Sequence, residues 1–137
     1  MRIEERDEQP YRSVSRFGPD AASKLGELLP PVFEWLEVRG VDPAGTPFFR
    51  YHVRDELEVE AGVPVPRGSA IPASDEDVTA GMLPAGRYAV TTVDGDPRAT
   101  DGLLAWAREQ NLEVEGDTWI SRPVGENGFE LSVRVTG

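Results

Sequence analysis

The sequence predicts an α+β domain of two pseudo-symmetric β-α-β-β units, with antiparallel sheets flanking a central groove. Three observations predict it. Two stretches, at about 21–39 and 100–111, carry apolar residues at helical spacing. Each is preceded by an alternating strand pattern and followed by two more. The halves also superpose: Trp35 stands six residues before Val41 and Trp106 six before Leu112, an offset of 71 residues. Leu57-Glu58-Val59-Glu60 falls over Phe129-Glu130-Leu131-Ser132 at an offset of 72. Agreement in order, type and spacing argues for an internal repeat. The repeat halves run from about 3 to 66 and from 78 to 135, inside one domain spanning residues 1–137.

The elements follow in order. After a charged start, Tyr11 to Arg16 alternates as a partly exposed strand, with Pro10 at its beginning. Phe17-Gly18-Pro19-Asp20 is turn-like, and Asp20 is placed to cap a helix. Leu25, Leu28, Leu29, Val32, Phe33 and Leu36 recur at threes and fours. Pro30 and Pro31 interrupt them, which predicts a break near Leu29 and a main helix from Pro30 to a stop at Gly40. Residues 41–47 read as a loop and Phe48–Val53 as an aromatic strand with Phe49, Tyr51 and Val53 on one face. Leu57 to Val65 is the next strand, and 66–77 is an irregular linker rich in Pro, Gly, Ser and Asp.

The second half opens with strands at 78–83 and 87–93 around a bend at Pro84-Ala85-Gly86. Asp94-Gly95-Asp96-Pro97 is a turn leading to a helix whose first turn Thr100 or Asp101 stabilises. Leu103, Leu104, Trp106 and Ala107 form its apolar face, and Asn111 is an acceptable stop. Asp117–Arg122 and Phe129–Val135 make a closing hairpin. In the last strand Phe129, Leu131, Val133 and Val135 share one face, and Glu130, Ser132 and Arg134 the other.

Composition narrows the function classes. The 14 Lys and Arg against 25 Asp and Glu give a net charge of -11, which repels a phosphate backbone. Lys24 is the only lysine and no basic run exists, so direct nucleic-acid binding is not expected. The absence of cysteine removes disulfides, thiolate metal sites and a cysteine nucleophile. His52, the only histidine, has no second histidine or cysteine to share a metal and reads as a surface residue. No phosphate-binding loop, dinucleotide fingerprint or nucleophile elbow occurs. No cofactor and no metal are therefore expected. No apolar run approaches the roughly 18 residues of a membrane span, and the N-terminus is too polar for a secretory signal. The expectation is a soluble, cytoplasmic protein without a membrane partner.

Several blocks then resemble a known family. Pro47-Phe48-Phe49-Arg50-Tyr51-His52, Val59-Glu60-Ala61-Gly62-Val63-Pro64-Val65 and Leu83-Pro84-Ala85-Gly86-Arg87-Tyr88-Ala89 resemble the GyrI-like small-molecule-binding domain, a duplication of SHS2-like modules. That domain is also the effector-binding module of AraC- and MerR-type regulators. Trp106 matches the family's tryptophan late in the second helix, and Glu130 its Glu-led final strand. Asp117-Thr118-Trp119 stands in place of the usual Glu-x-Tyr, and Arg134 in place of the usual proline. The resemblance covers residues 3 to 135 and implies the ligand-binding module alone, in stand-alone form. It further implies a bacterial chain and multidrug-type binding.

From the strand pattern alone Glu130 is a solvated strand glutamate; the resemblance makes it an acidic group facing a pocket. Tyr51, with Phe49 on its face, and Trp119 fit either core or the aromatic wall of that pocket. Trp35 and Trp106 lie on apolar helix faces and read first as core. The implied partner is a hydrophobic, aromatic or cationic small molecule in the groove between the repeats. Two alternatives stay open. One is hydrolysis of a strained electrophile with Glu130 as general base, so whether the chain is an enzyme is undecided. The other is a gyrase-inhibitor-like interaction with a protein partner.

Overall fold

The computed structural model describes residues 1–18, 25–53, 55–67, 78–94, 100–114, 118–126 and 128–136. In chain order the elements are β1 (Arg2–Arg6), β2 (Gln9–Phe17), α1 (Leu25–Val38), β3 (Phe48–Val53), β4 (Leu57–Pro64), β5 (Thr79–Leu83), β6 (Gly86–Asp94), α2 (Asp101–Glu109), β7 (Glu113–Val114), β8 (Thr118–Val124) and β9 (Gly128–Thr136). The expected unit recurs as β2-α1-β3-β4 and β6-α2-β8-β9. The two sheets are fused into one, in the order β1-β6-β9-β8-β3-β4-β2-β5, with β7 added on β9. The seam is the antiparallel β3–β8 pair, where Tyr51 stands opposite Trp119. The order on one side of this seam mirrors that on the other.

The leading strands are exchanged between the units. β1 precedes the first unit but pairs with β6 of the second; β5 precedes the second but pairs with β2 of the first. β1 escaped the sequence reading because only Ile3 in Arg2–Arg6 is apolar. Ile3 packs on the core, while Glu4 pairs across to Tyr88.

Helix α1 corrects one expectation. It runs unbroken through Pro30 and Pro31. Each proline lacks an N–H, so the carbonyls of Gly26 and Glu27 lose their partners one turn on. Those residues and both prolines are exposed, so water can serve the carbonyls. On the other face Leu28, Val32 and Leu36 are almost fully buried. Burial of each such side chain is worth about 1.5–3 kcal/mol, so the three together are of the size needed to offset a cost of about 3 kcal/mol for each proline. The expected stop holds: Gly40 has φ 67°, and the amides of Gly40 and Val41 bond the carbonyls of Glu37 and Leu36 at 3.1 and 3.0 Å. Helix α2 ends the same way on Asn111, φ 60°, with Asn111 and Leu112 bonding Arg108 and Ala107. The two spacings from Trp35 to Val41 and from Trp106 to Leu112 are thus one helix-end motif used twice. Thr100 is the N-cap of α2 without a capping side-chain bond, and Asp101 is the acidic residue of the first turn. Asp20, Asp117, the turn at 95–97 and linker residues 68–77 lie outside the described residues.

Each helix covers one face of the sheet. The main core lies there and includes Val14, Val59, Ala61, Leu131, Val133 and the buried faces of α1 and α2. The opposite face curls into the expected groove. Its floor is filled by a second cluster of Tyr11, Phe48, Leu83, Tyr88, Val90 and Ile120. Tyr11 and Phe48 meet edge to face at 5.0 Å. Two glycines make room for them, because a Cβ on Gly81 would run into the Tyr11 ring and one on Gly62 into Phe48. No helix among the described residues is long and apolar enough to cross a membrane.

Candidate ligand-binding site

Five of the six residues expected at the site come together, but on the helix side of the sheet. Tyr51 stacks on Trp119 with ring centroids 5.0 Å apart and planes 7° from parallel. Phe49 and Trp35 belong to the same buried core, and Trp106 packs against it partly buried. The Trp119 indole Nε1 is buried with no acceptor among the described residues. Glu130 is on the other face. The β8–β9 register sets Glu130 opposite Arg122, three residues along from Trp119, and an odd step along a strand reverses the side chain. The expected crevice with Glu130 beside Tyr51 and Trp119 therefore does not form. The Val124–Gly128 closure of the hairpin fixes this register; the sequence reading placed the loop without fixing it.

Glu130 is held by arginines rather than open to solvent. Its Oε1 lies 3.1 Å from Arg6 and 3.9 Å from Arg122, its Oε2 3.4 Å from Arg2, and its side chain is 17% exposed. Glu4 bridges Arg2 at 2.9 Å and Arg6 at 3.5 Å. Arg6 also lies over the Tyr88 ring, 4.9 Å from its centroid. Burial, then the like charge of Arg6, lowers the pKa of Arg122.

The first unit carries a different polar group on the groove face. Glu60 accepts hydrogen bonds from Tyr11 Oη at 2.8 Å and Ser13 Oγ at 3.1 Å. His52 Nε2 lies 2.6 Å from the same carboxylate, and Arg50 donates to Tyr11 Oη at 3.1 Å. Burial alone would raise the pKa of Glu60, but the bonds from His52, Tyr11 and Ser13 together hold it below the usual carboxylate range. Burial and the nearby Glu60 charge push the Tyr11 hydroxyl well up. His52, expected at the surface, is buried. No group of three or more His, Asp and Glu among the described residues is arranged to hold a metal ion.

Three cavities matter. The centre of the groove, between Arg50, Tyr88, Thr118 and Ser132, retains about 10 Å³ because the aromatic floor fills it. Toward the Arg6 and Arg122 end about 290 Å³ opens, walled by Leu83, Tyr88 and Ile120. The largest, about 700 Å³, lies between α1 and the β2–β5 edge. Val14, Trp35, Val38 and Val78 supply its apolar lining, Ser13 and Thr79 hydroxyls, and Glu34, Arg16 and Arg39 charges. Arg39 lies over Trp35 with its guanidinium carbon 4.0 Å from the ring centroid, and donates to the Trp35 carbonyl at 3.2 Å.

No protein-family model matches the sequence, and no curated protein matches it significantly. Solved structures do match in fold. The C-terminal domain of EcmrR aligns over 98% of this chain and 96% of its own length, with TM-score 0.78 and 14% identity. SAV2435 bound to tetraphenylphosphonium aligns over 99% and 93%, with TM-score 0.66 and 9% identity. The fold is that of a GyrI-like domain. Within the EcmrR–DNA complex this chain spans 56% of the EcmrR chain, with TM-score 0.77 and 15% identity. A hydrolase from Listeria innocua also aligns, over 98% of this chain and 90% of its own length, with TM-score 0.67 and 9% identity.

Sequence reasoning did not find the arginines around Glu130 or the Glu60 network. Arg2, Glu4 and Arg6 at every second position were a readable signal for a charged strand face. The Glu60 partners come from β2 and β3, and only the registers bring them together.

Proposed function

We propose that the chain is a small-molecule-binding module that takes an aromatic ligand, cationic or neutral, in the cleft between α1 and β2. The carrying observation is the Trp35 indole at the wall of a 700 Å³ cleft, a volume within the roughly 300–1,000 Å³ range of small-molecule pockets. The Arg39 guanidinium already lies over that ring, its carbon 4.0 Å from the centroid. It is a planar delocalised cation in the position a ligand would take, so the ring face suits such a group. The GyrI-like fold supports the reading, as does the tetraphenylphosphonium carried by one neighbour. A general-base role for Glu130 is not favoured, since arginines engage both of its carboxylate oxygens.

The test is calorimetric titration with tetraphenylphosphonium and with a planar cationic dye. Trp35→Phe keeps most of the core volume and is expected to weaken binding several-fold. Arg39→Ala, at an exposed position, is expected to tighten it by removing the internal competitor. Saturation should stabilise the fold by about 2.7 kcal/mol at 100 times the dissociation constant. Absence of binding by the folded wild type, or unchanged affinity in both variants, defeats the proposal.

A further inference from the structure

We infer that the 290 Å³ cavity at the end of the groove is an oxyanion site, binding the carboxylate or phosphate of an amphipathic ligand through Arg6 and Arg122. This site is separate from the Trp35 cleft and on the opposite face of the sheet, so the two proposals stand or fall independently. Both arginines line the cavity. Arg6 Nη1 and Arg122 Nε are buried with no hydrogen-bond acceptor among the described residues. A buried donor left without an acceptor is costly, more so on a charged group. The acids already present do not supply that acceptor. Glu130 and Glu4 contact Arg6 through Nη2, and Glu130 reaches Arg122 only at Nη1, 3.9 Å away.

The local charge points the same way. Arg2, Arg6, Arg67 and Arg122 outnumber Glu4, Asp7 and Glu130 by one, in a chain whose net charge is -11. The global field repels an anion, so affinity must come from these nearby donors. A guanidinium presents paired N–H groups to a carboxylate or phosphate and makes strong charge-assisted bonds with it. An incoming anion would also offset the burial and the Arg6 repulsion that weigh on Arg122. Leu83, Pro84, Ile120 and Tyr88 line one part of the cavity, beside the polar Asp7, Gln9 and Arg67, which gives the ligand an apolar body as well as a charged end.

The experiment is titration of the folded chain with 1-naphthoate, its neutral analogue 1-naphthalenemethanol, and inorganic phosphate. Naphthoate is expected to bind at least about tenfold more tightly than the alcohol, a difference in line with charge-assisted bonds. Arg122→Gln should remove that preference, and Arg6→Gln, on the edge strand β1, provides the same test should Arg122→Gln not fold. Glu130→Gln should tighten naphthoate binding, because it removes a built-in carboxylate that competes for the same arginines. A cluster that merely props up the groove would not give opposite signs for Arg122→Gln and Glu130→Gln. Naphthoate and the alcohol binding equally, no probe binding, or Glu130→Gln weakening binding overturns the inference. Phosphate binding as tightly as naphthoate would mean a bare anion site and overturn the amphipathic ligand.

Discussion

Glu60 shows how much a single side chain can depend on its partners. Its carboxylate is nearly buried, yet three hydrogen-bonding neighbours keep it ionised. A carboxyl group with a folded pKa below its unfolded value stabilises the fold above that unfolded value, about 4.3 for glutamate. The contribution is lost as pH falls through the lowered folded value. Glu60→Gln is expected to cost about 1–3 kcal/mol at neutral pH and to flatten the acid limb of stability below the ordinary carboxylate range. Urea unfolding of both proteins from pH 7 down to about 3 measures this; parallel curves would contradict it. None of this was legible beforehand. His52 and Glu60 are eight residues apart on neighbouring strands, and a solitary histidine in sequence carries no sign of its cross-strand partner. That Arg6 and Arg122 meet Glu130 was hidden for the same reason, since Arg6 reaches Glu130 only through the exchanged strand β1.

Elements defined by apolar periodicity were the most readable. The period-two runs located β2, β4 and β9, aromatic content located β3, and the threes and fours located both helices. Helix ends were legible too, because Gly40 and Asn111 adopt the left-handed conformation that their residue types tolerate. The two proline residues misled because local propensity was weighed without the burial it competes with. Strand β1 was missed because its inward face is one isoleucine long. The groove-face cluster yields a prediction at this level. Gly81 on β5 lies directly beneath the Tyr11 ring, and Tyr11 in turn bonds Glu60. Gly81→Ala should force the ring aside and cost about 1–3 kcal/mol, as overpacking typically does, with the Tyr11–Glu60 bond lost. Denaturant unfolding that finds the variant as stable as the wild type would show that the ring yields freely.

In the molecule as a whole, duplication was legible and its geometry was not. Matching order and spacing exposed two units, but nothing local announced that β1 and β5 would cross over, or that β3 and β8 would fuse the sheets. Those pairings tie each unit into the other: two of the three arginines around Glu130, Arg2 and Arg6, come from a strand at the chain's beginning. They also divide the expected site. The aromatic residues Tyr51, Trp119, Phe49, Trp35 and Trp106 went to the helix side, and Glu130 to the groove. Among the five aromatic residues, only Trp35 lines the large cleft. The chain's 3 tryptophans each provide an indole N–H signal, so a ¹H–¹⁵N titration with tetraphenylphosphonium locates the ligand directly. Binding in the α1–β2 cleft predicts that the Trp35 signal moves in step with saturation while the signal of the stacked, buried Trp119 stays in place. A shift centred on Trp119, with Trp35 unmoved, would contradict it.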